Sequence, residues 1–180
     1  MFLRLRGLRA HALRLSCAAL LTLSASACTQ VDLKTTLEIQ ELSSGYHDAG
    51  ITDAGLNKLV PSVTFRIKNI SSEPITSVDM VIFFWGVEYD QPKELDEVIV
   101  KAIGSGSEGL APGAMTEPIV VRSKQGFSLE QPRAELFNHK AFRDTTAKLF
   151  MKRGGKMVPF GEHTTERRLL LAAPTETTAR

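Results

Sequence analysis

Apolar and polar residues alternate along Val60 to Asn69, and this alternation is typical of a strand with one buried face. The apolar positions share one face and the polar positions share the other, Val63, Phe65 and Ile67 against Thr64, Arg66 and Lys68. Successive side chains of a strand point to opposite faces of its sheet, so the apolar set is expected in a core. The segment therefore predicts a half-buried antiparallel strand.

The following segment, Ile75 to Tyr89, is apolar on both faces. Its two faces carry different apolar sets, Val78, Met80, Ile82 and Phe84 against Val81, Phe83 and Trp85. A strand of this kind must be covered on both sides, so we expect it near the centre of a sheet. The turn-forming residues Asn69-Ile70-Ser71-Ser72-Glu73-Pro74 separate the two strands.

Shorter runs elsewhere in the chain also have strand character. They are Val98 to Ile103, Glu117 to Arg122, Thr146 to Lys152 and Lys156 to Phe160, with an imperfect early candidate at Asp32 to Gln40. Arg153-Gly154-Gly155 joins Thr146 to Lys152 with Lys156 to Phe160, and Gly-Gly supplies the positive φ of a tight hairpin. The repeated Asp-Ala-Gly of Tyr46 to Gly55 predicts a turn-rich loop. The apolar spacing in Ala134 to Phe142 indicates one short helix.

These elements define the expected fold class. No long amphipathic helix is available to connect parallel strands, and many short strands separated by turns favour a sandwich. The two strands, their Ser-Ser-Glu-Pro turn and Leu110-Ala111-Pro112-Gly113 resemble the immunoglobulin-like sandwiches of bacterial envelope proteins, including the FxLYD and LEA14-like domain families. This resemblance covers Val60 to Arg122 and implies a fold, not an activity. We predict an all-β protein, a single immunoglobulin-like antiparallel β-sandwich of about six to eight strands with one short helix.

The amino-terminal segment has the organisation of a secretory signal peptide. Residues 1–14 are basic, Leu15 to Leu23 form a short apolar run, and Ala25-Ser26-Ala27 supplies the small residues that a signal peptidase accepts. About nine apolar-leaning residues are too few to cross a hydrocarbon core of about 30 Å as a helix. The prediction is a cleaved leader over residues 1–27, and a buried amphipathic helix is the competing structural interpretation.

Cys28 follows these small residues directly. Once the leader and Cys17 are removed, it has no cysteine partner within the chain. Leu23-Ser24-Ala25-Ser26-Ala27-Cys28 resembles a bacterial lipobox, which implies cleavage between Ala27 and Cys28 and acylation of the Cys28 sulfur. Ala25 stands where leucine is usual in that motif, so cleavage without acylation remains the alternative. Two or more acyl chains would anchor the protein stably in a membrane.

The charge of the mature chain disfavours nucleic-acid binding. Removing four leader arginines lowers the 22 basic residues to 18, against 20 acidic ones, and turns the net charge from +2 to −2. A slightly acidic protein lacks the positive surface that holds phosphate backbones. About 150 residues remain after the leader, which is the usual size of one domain.

Two motifs suggest chemistry at first sight, but each has a simpler interpretation. Gly104 to Gly109 matches G-x-G-x-x-G, yet Pro112-Gly113 follow too soon for the helix that a dinucleotide site requires, so a flexible loop is favoured. Tyr46 to Gly55 carries two aspartates, but it lacks the terminal glutamate of a calcium loop. We predict no bound cofactor.

The remaining candidates for metal binding and catalysis are isolated in the sequence. His47, His139 and His163 have no partner at a ligand spacing, so no metal site is predicted. No G-x-S-x-G, P-loop or H-E-x-x-H motif is present, and no catalytic residue is assigned.

A few residues are candidates for contact surfaces. Tyr46, Trp85 and Tyr89 are amphipathic aromatics of the kind enriched at protein interfaces, with core packing as the default for Trp85. Lys152, Arg153 and Lys156 cluster at the predicted hairpin, where they either approach anionic lipid head groups or are simply solvated.

Together these observations predict four regions in the chain. They are a signal peptide at 1–27, a tether with a candidate first strand at 28–45, a β-sandwich domain at 46–171 and a disordered tail at 172–180. The predicted function is that of an exported, membrane-anchored envelope lipoprotein, located in the outer membrane or facing the periplasm in a Gram-negative cell. It would bind an envelope protein or support an assembly and would not be an enzyme. The alternative is a soluble exported small-ligand carrier or an enzyme with an unrecognised site.

Overall fold

The structure of the protein is a computed structural model, and it describes residues 31–88, 91–106 and 109–170. The predictions for residues 1–27, for Cys28, for Tyr89 and for the tail at 172–180 lie outside the described residues. The described elements are, in chain order, α1 (Leu33–Thr36), β1 (Leu37–Ile51), β2 (Asn57–Asn69), β3 (Val78–Glu88), β4 (Gln91–Ile103), β5 (Ile119–Arg122), β6 (Phe127–Leu129), a 3-10 helix (Arg133–Asn138), β7 (Thr146–Arg153), β8 (Lys156–Thr164) and β9 (Leu169–Leu170).

The strands form two sheets, as predicted for an all-β sandwich. The first sheet has the order β5-β2-β1-β9, with β6 also paired to β2, and the second has the order β4-β3-β7-β8. All pairings are antiparallel except the short parallel contact between β1 and β9. The described chain has nine strands rather than six to eight. The additional strands include β6 and β9, which are too short to show a period in the sequence.

The core follows the alternation of the two long apolar strands. Val63, Phe65 and Ile67 of β2 are buried, and so are Val78, Met80, Ile82 and Phe84 of β3. The second sheet adds Ala147, Leu149 and Met151 from β7 to this buried layer. β3 lies between β4 and β7, which confirms its predicted central position.

Two local predictions are wrong at the start of the domain. The first half of the strand expected over Asp32 to Gln40 is the helix α1, because the Asp32 side chain accepts a hydrogen bond from the Lys34 N–H and caps the turn. The loop expected over Tyr46 to Gly55 is strand as far as Ile51, and only the turn at Thr52–Leu56 remains. Pairing with β2 therefore outweighs the local turn preference of the Asp-Ala-Gly repeat.

The short helix predicted within Ala134 to Phe142 is present as the 3-10 helix at Arg133–Asn138. Leu136 is fully buried there, and it joins Tyr46, Leu59 and Phe142 in a secondary apolar cluster. The helix therefore covers one end of the first sheet.

The opposite end, which we call the α1 end, gathers the start of the domain and several turns. Leu37 at the start of β1 pairs with Asn69 at the end of β2. In the second sheet, Asp79 near the start of β3 pairs with Lys152 near the end of β7. The hairpin from β7 to β8 therefore turns at the same end as α1, and α1 contacts β8 directly.

Candidate functional site

Several aromatic side chains of the second sheet lie on the face turned away from the core. We call it the outer face, and it consists of Phe83 and Trp85 of β3, Lys148 and Phe150 of β7, and Ile99 of β4, together with Val81 of β3, which is buried. It exists because β3 and β7 carry apolar residues on both sides of the strand, while only one side faces the core. The outer face is the best candidate for a binding surface among the described residues.

The geometry of the outer face orders its aromatic side chains. Phe83 and Phe150 meet edge to face, with ring centroids 5.5 Å apart and planes at 88°. The Lys148 ammonium lies 4.7 Å from the centroid of the Trp85 ring, within the range of a cation–π interaction. Both arrangements hold large, half-buried rings in fixed orientations.

Exposed apolar and charged residues border these rings. Ile99 on β4 lies opposite Val81 and remains 55% exposed. Glu94 and Glu97 lie opposite Trp85 and Phe83 in the β3–β4 pairing, and both are exposed. An apolar centre with a charged rim is the usual composition of a protein interface. The sequence indicated Trp85, but it did not place Lys148 over its ring or Phe150 and Ile99 on the same face.

Tyr46 was a second candidate for a surface aromatic, and the structure contradicts that prediction. Its ring is fully buried against Phe127, Phe137 and Phe142. Its hydroxyl lies 2.9 Å from Oγ1 of Thr145. Burial raises the pKa of the Tyr46 phenol above its ordinary value of 10.0, and the hydrogen bond to Thr145 opposes that rise. Tyr46 is a core residue with a satisfied hydroxyl.

Ser44 and His163 form the arrangement in the described chain that most resembles a nucleophile and its base. His163 Nε2 lies 3.0 Å from Ser44 Oγ, a distance compatible with proton transfer. Ser44 is fully buried, however, and its Oγ also accepts the Glu166 N–H at 3.0 Å. A substrate cannot reach this buried hydroxyl. The network instead has a structural role, because it joins β1 to the end of β8 and to the residues that follow it. Neither the pair nor its structural role was evident from sequence spacing.

The other two histidines have separate surroundings. His47 is partly buried in β1, and burial together with the Arg122 charge lowers its pKa. Nδ1 of His139 accepts the Ala141 N–H in a local turn. Within the described ranges, no group of three or more histidine, cysteine, aspartate or glutamate side chains could hold a metal ion.

Asp48 is the aspartate of the predicted loop that has defined partners. Desolvation raises the pKa of its carboxyl. The Gly50 N–H and the Arg133 guanidinium lower that pKa by more than desolvation raises it, so the net pKa is depressed. The carboxylate therefore joins β1 to the 3-10 helix.

The glycine-rich run is a loop in the part of it that the structure describes. Gly104, Gly106 and Gly109 line an open depression of about 460 Å³, together with Ile103 and Leu110. Leu110 leads into a bridge to Ile75 rather than into a helix. A dinucleotide site would need a helix amino terminus at this point, so the described geometry does not provide one.

Among the described residues, no helix is both long and apolar enough to cross a bilayer. Cys28 and Ala27 lie outside those residues, so acylation and cleavage stay predictions.

Comparisons with known proteins do not identify the chain. No family model matches it, and no curated protein matches it. The chain is similar to the solved structural genomics target SoR45, with 12% identity and a TM-score of 0.38 over 83% of this chain and 100% of that one. It is also similar to a protein assigned as ApaA from Bordetella pertussis, with 16% identity and a TM-score of 0.34 over 73% and 93% of the two chains. Likenesses this low carry no argument about function.

Proposed function

We propose that the protein is an exported, lipid-anchored envelope protein whose β-sandwich has a non-catalytic role in binding an envelope protein. The observation that carries the proposal is the position of Cys28, directly after Ala25-Ser26-Ala27 and a leader with basic and apolar regions. A cysteine at the new amino terminus can carry a diacylglycerol on its sulfur and a further chain on its freed amine. Two or more chains give stable anchoring, whereas one gives only reversible binding.

The start of the described fold is compatible with this processing. The first element, α1, begins at Leu33, five positions after Cys28, and it is capped by Asp32. Cleavage before Cys28 therefore leaves every described strand, and α1 with its cap, in place. Each described strand pairs with another described strand.

The outer face of the second sheet supports the binding role. Trp85 and Phe83 offer rigid aromatic area, and large aromatic anchors contribute most to binding energy at protein interfaces. Ile99 extends the apolar area toward the edge strand β4, where Glu94 and Glu97 add a charged border. A partner that fits this face has an apolar centre and basic residues opposite that border.

The non-catalytic assignment is supported by the arginine partners of the two aspartates whose pKa values are lowered. The depressed carboxyls of Asp48 and Asp144 are each paired with an arginine, Arg133 and Arg167 respectively. Both pairs link separate segments of the fold, and structural ion pairs of this kind also perturb pKa values.

Detergent partitioning of the protein expressed in a bacterial host tests the anchor. The wild type and a Cys17→Ala control should enter the detergent phase, because Cys17 lies within the discarded leader. The Cys28→Ala variant should either enter the aqueous phase or keep its leader, and its mass distinguishes these two outcomes. A processed wild type found in the aqueous phase would contradict the anchor.

Site-specific photo-crosslinking in intact cells tests the partner face. A photoreactive residue at position 99 should give a discrete adduct. The same residue at position 51 should give none. Ile51 is also exposed, but it lies on the other sheet, away from the outer face. Equal labelling from both positions, or no adduct from position 99, would contradict the assignment of the outer face.

A further inference from the structure

The β7–β8 hairpin carries a concentration of positive charge at the α1 end. Lys152, Arg153 and Lys156 flank Gly154-Gly155, and the described residues provide no ion pair for any of the three. Asp79 lies opposite Lys152 in the β3–β7 pairing and opposite Lys101 in the β3–β4 pairing. One carboxylate therefore lies between two lysines, and the hairpin remains positive.

The acidic residues of the same end lie mainly on the side of the first sheet. Asp32 and Glu38 belong to the start of α1 and β1, and Glu117 precedes β5. Glu73 lies in the connection between the two sheets, and Asp79 is the acid on the second sheet. Among the described residues, positive charge is therefore greatest on the side of the second sheet.

The basic hairpin lies beside the start of the domain. β8 begins at Lys156, and Phe160, four positions further along the strand, lines an open depression of about 300 Å³ together with Lys34 and Leu37. Four strand residues correspond to about 13 Å, so the hairpin is close to the point where the chain enters the fold.

The length of the chain before α1 restricts how far this end can be from an anchor. The five Cα-to-Cα steps from Cys28 to Leu33 reach at most about 18 Å when fully extended. By comparison, the 13 residues of β2 extend over about 43 Å. An anchor at Cys28 therefore keeps the α1 end near the membrane and the opposite end distant from it.

Exposed apolar side chains accompany the charges. Ile70, which follows β2, is 50% exposed, and Met115, bridged to Lys68, is 43% exposed. Met157, the second residue of β8, is 47% exposed. Of these three, Met157 adjoins the hairpin charges, because it follows Lys156 and pairs with Lys152. Apolar side chains next to lysines and arginines are the composition of surfaces that enter a lipid interface.

We propose that the α1 end, with Lys152, Arg153 and Lys156, docks on the surface of an anionic phospholipid bilayer. The inference rests on the proposed lipid anchor and extends it, because it specifies which end and which side of the sandwich face the lipid. Each basic side chain near an anionic surface raises the affinity for that surface about fivefold at physiological salt. Three such side chains are sufficient to orient a domain that is already tethered.

The test uses mature protein purified from its membrane and reconstituted into vesicles. A fluorophore on Gly155→Cys reports on the hairpin, where an added side chain meets open space, and one on Asp53→Cys reports on the opposite end. Two kinds of vesicle are used, one made of phosphatidylglycerol and one of phosphatidylcholine, and each contains a quencher at the level of the lipid headgroups. We expect strong quenching at position 155 in phosphatidylglycerol vesicles and none at position 53.

Charge variants complete the test. Replacing Lys152, Arg153 and Lys156 with glutamine should abolish the preferential quenching, whereas replacing the exposed Arg122, Lys124 and Lys140 should preserve it. If protein floats with both vesicle types but quenching is equal at the two labels, or survives loss of the hairpin charges, the docking is wrong and the anchor stands. If the protein does not float with phosphatidylcholine vesicles, the anchor fails, and the docking that rests on it fails as well.

Discussion

The hydroxyl of Tyr46 on β1 lies 2.9 Å from Oγ1 of Thr145, 99 positions later in the chain and directly before β7. Both groups are buried, so each hydroxyl provides the hydrogen-bond partner that the other cannot obtain from water. Because β1 belongs to the first sheet and β7 to the second, this hydrogen bond connects the two layers of the sandwich.

Removing this hydroxyl should destabilise the fold measurably. We expect Tyr46→Phe to lower the free energy of unfolding by about 1–3 kcal/mol, because Thr145 then loses its buried partner. Urea unfolding of Tyr46→Phe, Thr145→Val and the double variant gives the coupling between the two groups. The double variant should cost less than the sum of the single ones, and strict additivity would show that the contact is not formed.

The phenol of Tyr46 should also titrate abnormally. Burial raises its pKa above 10.0, so the neutral phenol contributes stability that is complete below pH 10.0 and is lost as pH rises through the raised pKa. In a Tyr89→Phe background, ultraviolet absorbance follows Tyr46 alone. We expect ionisation above pH 10.0, together with unfolding, and a normal reversible titration would contradict the buried position.

Acid stability should depend on the pair between Asp144 and Arg167. Nε and Nη2 of Arg167 donate to the two carboxylate oxygens at 2.7 and 3.1 Å, and this lowers the Asp144 pKa below 3.8. A depressed carboxyl contributes stability above its unfolded pKa and loses it as pH falls through the folded pKa. The destabilisation caused by Asp144→Asn should therefore shrink at acidic pH, as followed by urea midpoints. Asp53→Asn, at an exposed turn, is the control and should have little effect at any pH.

Gly126 lies where β2 leaves no room for a side chain. A Cβ at this position would overlap the carbonyl oxygen of Leu59 and approach the Cα of Val60 at 2.9 Å. We expect Gly126→Ala to cost about 1–3 kcal/mol or more, because the backbone must shift. Gly155→Ala is the matched control, since nothing lies within 4 Å of its Cβ, and it should be almost neutral by thermal unfolding. Equal effects of the two substitutions would contradict this packing.

The long strands could be predicted from sequence because their own side chains encode their environment. Phe65 and Phe84 are buried on the faces that the period of two assigns to the core. Tyr46 could not be placed in this way, because its burial depends on aromatic residues from Phe127 to Phe142, which are distant in sequence. Its surrounding Asp and Gly residues favoured a turn locally, and pairing with β2 determined the outcome.

The candidate surfaces show the same division. Alternation along β3 placed Trp85 on the side opposite Phe84, and the structure has it there. Only the register between β3 and β7 places Lys148 over the Trp85 ring, and sequence periodicity does not specify register. The basic hairpin was evident from Lys152 to Lys156, but its position beside α1 follows from the topology of the two sheets.

The most direct test of the account is mass spectrometry of the amino-terminal peptide of the mature protein, isolated from a bacterial membrane. We predict that this peptide begins at Cys28 and carries a diacylglycerol on sulfur, with a further acyl chain on the amine in hosts that add one. The Cys17→Ala variant should give the same peptide. An amino-terminal Cys28 with a free thiol and no acyl mass would contradict the lipid anchor and favour the soluble alternative.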